Sequence, residues 1–442
     1  MTSSRSRTSD DQLRVVVVAE LASARFGGEA ILPLHYFRVL RSRGVEAWLV
    51  AHGRTRTELM AMFPRDRDRL FFVSDTWINR VLWRIGRWLP HNLDLVSVTA
   101  IGHIYTGLRE RRVVRRLVRE KNINVVHQPI PVSAKEPSVM TKLGAPLVVG
   151  PLNGNMDWPP SFPHHDGFFT RLALSIARLG AGLSNRVFAG KQGAAVVLVA
   201  NERTQQGLPK GLRGQVLQMT ENGVDLQLWQ REAAPHRDDG VTRFVFLGRL
   251  EDFKGVRYLV RAFALASQQA PMRLEIIGDG SERNAIEQLR ADLELGDRIA
   301  MVGWLVQELA AARLAIADVM VMPSLRDCGG AVILEAMASG LPVIATAWGG
   351  PLDYLDAASG ILVPPGDAES FVNGLAAAMV RLARDPQLRQ RMGQAGRLRV
   401  QAEFDWERKV DQMLRVYTAA RTGERLPRTV PSAMVGAGVV AD

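Results

Sequence analysis

The chain has 442 residues, 47% hydrophobic and 23% charged, the balance of an ordinary globular protein with room for two or three domains. No apolar run reaches the ~18 residues that span a bilayer, no signal-peptide core follows Arg5 and Arg7, and a single cysteine, Cys328, excludes an intrachain disulfide and any cysteine-clustered metal site. The expected location is therefore the cytoplasm. The net charge of +11 is uneven: residues 1–230 hold 31 of the 56 Lys and Arg but 18 of the 45 Asp and Glu, or +13, leaving −2 for the rest. A basic N-terminal half suits an anionic partner such as phosphate or acidic lipid, although a generally Arg-rich composition gives the same sum.

Residues 1–11 are polar and read as a loose end. The run LRVVVVA at 13–19 is continuous and β-branched, as in a strand buried on both faces of a parallel sheet. A loop ending in Phe26-Gly27-Gly28 leads to a helix expected over 29–43, closed by Gly44, and then a strand at 45–50. Strand, helix, strand in that order implies a right-handed crossover and a doubly wound sheet. The pattern continues with a basic helix near 108–120 and strands at 124–127, 146–149 and 193–200. Asn222-Gly223-Val224-Asp225 is a turn signal, and the Pro-containing stretch 231–240 resembles a linker. A second α/β series follows, with strands expected at 243–247, 274–277, 299–302, 319–322, 343–345 and 361–363, and a last helix at about 404–421. The expected domains are thus 1–230, 231–403, and a closing segment 404–442. The fold class is α/β, two doubly wound Rossmann-like domains with a ligand cleft at the carboxyl ends of the strands.

Three motifs carry chemistry, each just after a strand of the second series. Gly248-Arg249-Leu250 with Lys254-Gly255 puts two cations on a glycine-opened loop, where they can neutralise a diphosphate or stay as solvated surface charges. Gly278-Asp279-Gly280-Ser281 is a glycine turn open to close backbone approach, with Ser281 placed to cap the next helix. The third is the string from Pro323 to Thr346. Its Asp327-Cys328-Gly329-Gly330 loop enters a helix from Ala331 to Ser339, stopped by Gly340 and Pro342. Such a helix N-terminus beside two glycines is an anion site by construction. One turn inside, the Glu335 carboxylate can reach a ribose hydroxyl pair, and Asp327 can accept from sugar hydroxyls.

These residues resemble the retaining family-four glycosyltransferases of the GT-B fold, whose signature pairs two acidic residues as Glu-x7-Glu around a glycine loop before EAMA-G-PV-AT. Bacterial enzymes of polysaccharide biosynthesis are similar. The resemblance implies a hexosyltransferase that moves a hexose from a nucleotide-diphosphate sugar, a UDP-sugar first and GDP-mannose next, to a glycan or lipid-linked acceptor. It implies that Arg249 and Lys254 hold the diphosphate and stabilise it as leaving group. Glu335 would bind the ribose, while Gly248, Gly278, Asp279, Gly280, Asp327 and the Cys328-Gly329-Gly330 backbone would line the donor. Gly27 and Gly28 would approach the phosphate or the acceptor, and the last helix would cross back to the N-terminal domain. No metal and no cofactor are implied, since two cations and a helix N-terminus can do the charge work. This chain departs from the family at two points. Asp327 is a methylene shorter than the usual Glu. The region where the family often has a histidine reads Gly150-Pro151-Leu152-Asn153-Gly154-Asn155-Met156-Asp157, which makes Asn153 and Asp157 the replacements to consider, with His127 a third candidate.

On the acceptor side, residues 77–89 form an amphipathic helix. At 100° per residue, Trp77, Ile78, Val81, Leu82, Ile85, Trp88 and Leu89 fall in a ~140° arc, with Arg80, Arg84 and Arg87 in another. This face suits an anionic membrane surface and a peripheral position on the inner leaflet. It suits equally a helix packed on its own domain with Arg outward. Two other functions stay open: another GT-B nucleotide-sugar enzyme, an epimerase or phosphorylase, and a catalytically silent nucleotide-sugar-binding subunit. A nucleic-acid binder would show basic and aromatic residues interleaved over a surface and no donor site, so nucleic acid is not an expected partner.

Overall fold

The structure is a computed structural model that describes residues 12–25, 28–86, 98–162, 185, 187–229 and 239–430. The chain divides into two units. Unit 1 holds residues 1–155, 165–221 and 409–442, and unit 2 holds 156–164 and 222–408.

Unit 1 is built on a seven-stranded parallel sheet in the order β3-β2-β1-β4-β5-β6-β7. Its strands are β1 (Arg14–Ala19), β2 (Glu46–His52), β3 (Leu70–Val73), β4 (Val125–Gln128), β5 (Leu147–Leu152), β6 (Val196–Val199) and β7 (Gln215–Gln218). β1, β4, β5 and β6 are almost wholly buried, as continuous Val-rich runs require when helices cover both faces. Its helices include α1 (Leu32–Ser42), α2 (Arg56–Met62), α3 (Trp77–Gly86), α4 (Val98–Glu120) and α5 (Glu202–Gln206). The helix expected over 29–43 starts later, because a 3-10 turn at Gly28–Ile31 precedes Pro33 in the first turn of α1. Within α3 the apolar arc divides. Asn79 is buried and Ile78 and Leu82 are half-buried, whereas Trp77, Val81 and Ile85 are 70%, 42% and 48% exposed beside exposed Arg80 and Arg84. Arg87, Trp88 and Leu89 lie outside the described residues.

Unit 2 has a six-stranded parallel sheet in the order β10-β9-β8-β11-β12-β13. The strands are β8 (Thr242–Leu247), β9 (Met272–Ile277), β10 (Ile299–Gly303), β11 (Val319–Met322), β12 (Val343–Thr346) and β13 (Gly360–Val363). Helices α6 (Leu226–Trp229), α7 (Val256–Ala266), α8 (Arg283–Asp292), α9 (Gln307–Ala315), α10 (Ala331–Ala338), α11 (Pro351–Tyr354), α12 (Ala368–Arg384) and α13 (Pro386–Glu403) complete it. Both sheets change direction at one place, between β1 and β4 in unit 1 and between β8 and β11 in unit 2. Ligands of doubly wound folds bind in the crevice that opens there, past the carboxyl ends of the two strands.

The boundaries expected at 230/231 and 403/404 move. Residues 222–229 belong to unit 2, because Val224 bonds the Phe404 carbonyl through its N–H (2.8 Å) and buried Trp229 packs into that core. Residues 156–164 also leave unit 1. Phe162 is buried in the core of unit 2, 5.3 Å ring to ring from Tyr258 and 5.8 Å from Phe371. The closing helix α14 (Trp406–Thr422) begins in unit 2, and from Lys409 onward it counts with unit 1. There buried Lys409 donates to the Thr220 carbonyl, and Arg43 pairs with Asp411.

Candidate functional site

The loops that leave β8, β9, β11 and β12 in unit 2 are locked together by backbone contacts that only glycine permits. A Cβ on Gly278 would lie 1.8 Å from the Gly248 carbonyl oxygen, and one on Gly280 2.4 Å from that of Leu250. The Leu250 N–H bonds the Asp279 carbonyl at 2.9 Å, and the Glu282 N–H bonds the Leu250 carbonyl at the same distance. Gly255, with φ of +68°, sits where a Cβ would be 2.2 Å from the Pro323 carbonyl oxygen. The Leu325 N–H bonds the Phe253 carbonyl at 2.8 Å, which ties the loop after β8 to the loop after β11. These two loops flank the reversal point of the sheet.

On that frame the two expected cations come together. Arg249 Cζ and Lys254 Nζ each lie 5.6 Å from the centre of the Phe253 ring, within the range of cation–π attraction. Lys254 also forms an ion pair with Asp327, both side chains being largely shielded. Asp327 and Lys254, expected to serve different parts of a ligand, thus neutralise each other, which the sequence spacing did not foretell. Ser281 does not cap α8: its hydroxyl donates to Glu251 at 2.6 Å, and α8 begins without a side-chain cap. Asp279 is exposed at the tip of its turn, its carboxylate accepting from the Gly280 N–H at 2.9 Å.

The Cys328-Gly329-Gly330 loop enters α10 at Gly330, left-handed at φ +80°, with no side chain capping the helix. No side chain takes up its first-turn N–H groups, of which that of Ile333 turns back to the Gly330 carbonyl at 2.9 Å. Glu335 stands in the second turn, half-buried, with no hydrogen bond or ion pair to its carboxyl among the described residues. Burial pushes that carboxyl up to about 8, so it holds its proton at neutral pH until something offers it donors.

A second glycine pair completes the site and escaped the sequence reading. Gly349 and Gly350 follow β12, and the Gly350 N–H bonds the Asp327 carbonyl at 2.8 Å. A Cβ on Gly350 would lie 2.3 Å from the Gly329 oxygen, and one on Gly349 would meet the Met156 thioether at 2.5 Å. The signal was present as a Gly-Gly step past a buried strand, the same pattern as Gly329-Gly330. Beside it the Trp348 indole N–H donates to the Asp157 carbonyl at 3.0 Å. Asp157 therefore belongs to unit 2, with the loops that follow β8, β11 and β12.

Two candidates of unit 1 are occupied elsewhere. His127 is fully buried; its Nε2 donates to the Gly150 carbonyl at 2.7 Å, which leaves Nδ1 to accept from the Tyr417 hydroxyl at 2.8 Å. Burial lowers it to about 4, so it is a neutral core histidine rather than a displayed catalytic one. Asn153 is buried too, its side-chain oxygen facing Thr204, Asn201 and Arg203 at 3.3–3.5 Å, a polar cluster that fastens the end of β5 to α5. Gly28 is exposed with φ of +53°, and Gly27 lies outside the described residues.

Residues 230–399 match the family of glycosyl transferases group 1. The glycogen synthase of Mycobacterium tuberculosis is 34% identical over 210 residues, 47% of this chain and 49% of that protein. The chain thus spans about half the length of the curated relatives it matches. Among solved structures, the sucrose-phosphate synthase of Thermosynechococcus elongatus superposes with a TM-score of 0.63 at 21% identity, over 93% of this chain and all of that one. HepE of Anabaena, solved in complex with UDP, gives 0.59 at 15% identity over 91% of this chain and all of that one. The fold is that of two Rossmann-like α/β units, as in GT-B glycosyltransferases. Residues 230–399 are the stretch that matches the group 1 glycosyl transferases, and they contain every donor-side candidate from Gly248 to Glu335.

Proposed function

We propose that this chain is a retaining hexosyltransferase that uses a nucleotide-diphosphate sugar, a UDP-sugar first, and delivers the hexose to a glycan or lipid-linked acceptor in cell-surface polysaccharide synthesis. The observation that carries the reading is the convergence of Arg249, Lys254 and the uncapped start of α10 on the two sides of the reversal point in unit 2. Two fixed cations and a row of N–H groups suit a diphosphate whose negative charge grows as the bond to the sugar breaks. Glu335 supplies the ribose contact, and Asp327, once a diphosphate takes over Lys254, is released to accept from sugar hydroxyls. UDP, seen with the Anabaena neighbour, is the first nucleotide to test. Thermal shift against UDP, GDP and ADP, followed by transfer or hydrolysis of the matching sugar nucleotides, is the experiment. UDP is expected to raise the melting temperature by several degrees at millimolar concentration. No shift with any of the three nucleotides removes the donor assignment.

The exposed ridge Trp77–Val81–Ile85 supports a reversible position on an anionic bilayer. Arg80 and Arg84 flank it, and each contributes about 1 kcal/mol near an acidic surface. No helix among the described residues is long and apolar enough to cross a membrane. Vesicles containing phosphatidylglycerol should pellet the protein at low salt and release it as salt rises, because exposed charges are screened beyond ~8–10 Å. An Arg80→Glu/Arg84→Glu variant should stay in the supernatant. Equal pelleting of both proteins sends α3 back to a purely structural role.

A further inference from the structure

Unit 2 carries a surface cleft that the donor chemistry leaves unused. It encloses about 290 Å3 and runs from the middle of α7 to the amino ends of β9 and β10. Arg261 and Leu265 line it from one face of α7, Leu293 and Leu295 from the end of α8, Arg298 from the turn before β10, and Val372 from α12. The candidate donor loops leave the opposite ends of the same strands, so the length of β9, about 20 Å, lies between the two places.

Charge sets the first part of its chemistry. Two arginines and no acidic residue line the cleft, in a stretch of sequence, 231–442, that sums to −2. Arg298 is fixed in place: it donates to the Ser267 hydroxyl at 3.2 Å and to the Glu294 carbonyl at 3.1 Å, and neither acceptor neutralises it. No carboxylate pairs with Arg298 or with exposed Arg261 among the described residues. The walls set the second part. Leu265 and Leu293 are 40% and 37% exposed, and below them lie Leu295 and Val372, almost wholly buried. Leucines left in water on the sides of a concavity gain from any apolar body that fills it. The volume is at the small end of the range for sites that bind small molecules, about 300–1,000 Å3.

We infer that this cleft binds a small amphiphilic anion, a carboxylate or phosphate monoester carried on a short alkyl or aryl body. Guanidinium forks hold such a head group by paired charge-assisted hydrogen bonds, and the leucines take the body. A bare anion leaves the apolar walls wet, and an uncharged amphiphile leaves two cations without a partner. The site is separate from the donor's and needs no part of the transferase reading.

Calorimetry on the full chain tests it, with octanoate and octyl phosphate compared against octanol, acetate and inorganic phosphate. At least one of the two amphiphiles is expected to bind tenfold or more tightly than octanol and than its own bare head group. Which of them does so identifies the head group. In Arg261→Gln and in Arg298→Gln that affinity should fall about tenfold, the scale of one hydrogen bond to a charged group. Leu265→Asp, which removes an apolar wall and sets a carboxylate beside the head group, should abolish binding. Circular dichroism checks each fold. Arg298 bridges two turns, so if Arg298→Gln fails to fold, the exposed positions 261 and 265 decide alone. Octanol or the bare anions binding as tightly as the amphiphiles, neither amphiphile binding, or unchanged affinity in the folded variants overturns the inference. UDP affinity, recorded on the same samples, should be the same in all of them and reports the donor reading separately.

Discussion

Replacing Lys254 or Arg249 by alanine should lower kcat/KM at least ~100-fold while leaving a folded protein. Each cation is asked for about 2.7 kcal/mol of leaving-group stabilisation, the scale lost when one charge-stabilising donor is removed from an active site. Arg249 is exposed, so its loss costs the fold little. Lys254 is different, because its partner Asp327 is also shielded and would be left without its ammonium. The Lys254→Ala melting temperature should therefore drop more than that of Arg249→Ala. The pairing yields a contrast between ligands. In Asp327→Asn the ammonium is no longer neutralised, so free UDP should bind as well as or better than to the wild type while sugar transfer falls. In Lys254→Ala both should fall. Calorimetry with UDP and initial rates with the sugar nucleotide separate the cases. Near-normal turnover in folded Lys254→Ala and Arg249→Ala rejects the diphosphate assignment.

What could be read from sequence followed burial. The strands at the centre of each sheet are continuous apolar runs, so β1, β8, β9, β11 and β12 were found within a residue or two of their ends. The two strands missed, β3 and β7, are the outer strands of the unit 1 sheet. LFFV and QVLQ are four-residue segments buried only in part, too short for either a buried run or an alternation to stand out. The candidate site residues of unit 2 stood out because glycines follow a buried strand in each of the loops that carry them. Long-range partners were not. Nothing in a linear string tells that His127 is spent on Gly150 and Tyr417, that Asp327 is held by Lys254, or that Phe162 packs with the second unit rather than the first.

Glu335→Gln should stabilise the protein and weaken the donor, with opposite dependence on pH. The carboxyl titrates at about 8 when folded, against 4.5 for the unperturbed group. Between those values the unfolded chain releases a proton that the folded protein keeps, so stability falls as pH rises through the window and the loss is complete only above about 8. Glutamine removes the penalty. Its melting temperature should match that of the wild type near pH 4.5 and exceed it increasingly up to pH 8, by about 1–2 kcal/mol once the partial exposure of the side chain is allowed for. That corresponds to about 2–8 °C for a domain of this size. Donor binding runs the other way. Ribose hydroxyls favour the ionised carboxylate, so wild-type affinity for UDP should rise with pH up to about 8 and level off. The glutamine variant should be flat and, at pH 8, about 10–100-fold weaker, the cost of one hydrogen bond to a charged group. A variant that is stabilised at pH 8 but binds UDP with unchanged affinity would show that Glu335 is buried for the sake of α10 alone and never meets the nucleotide.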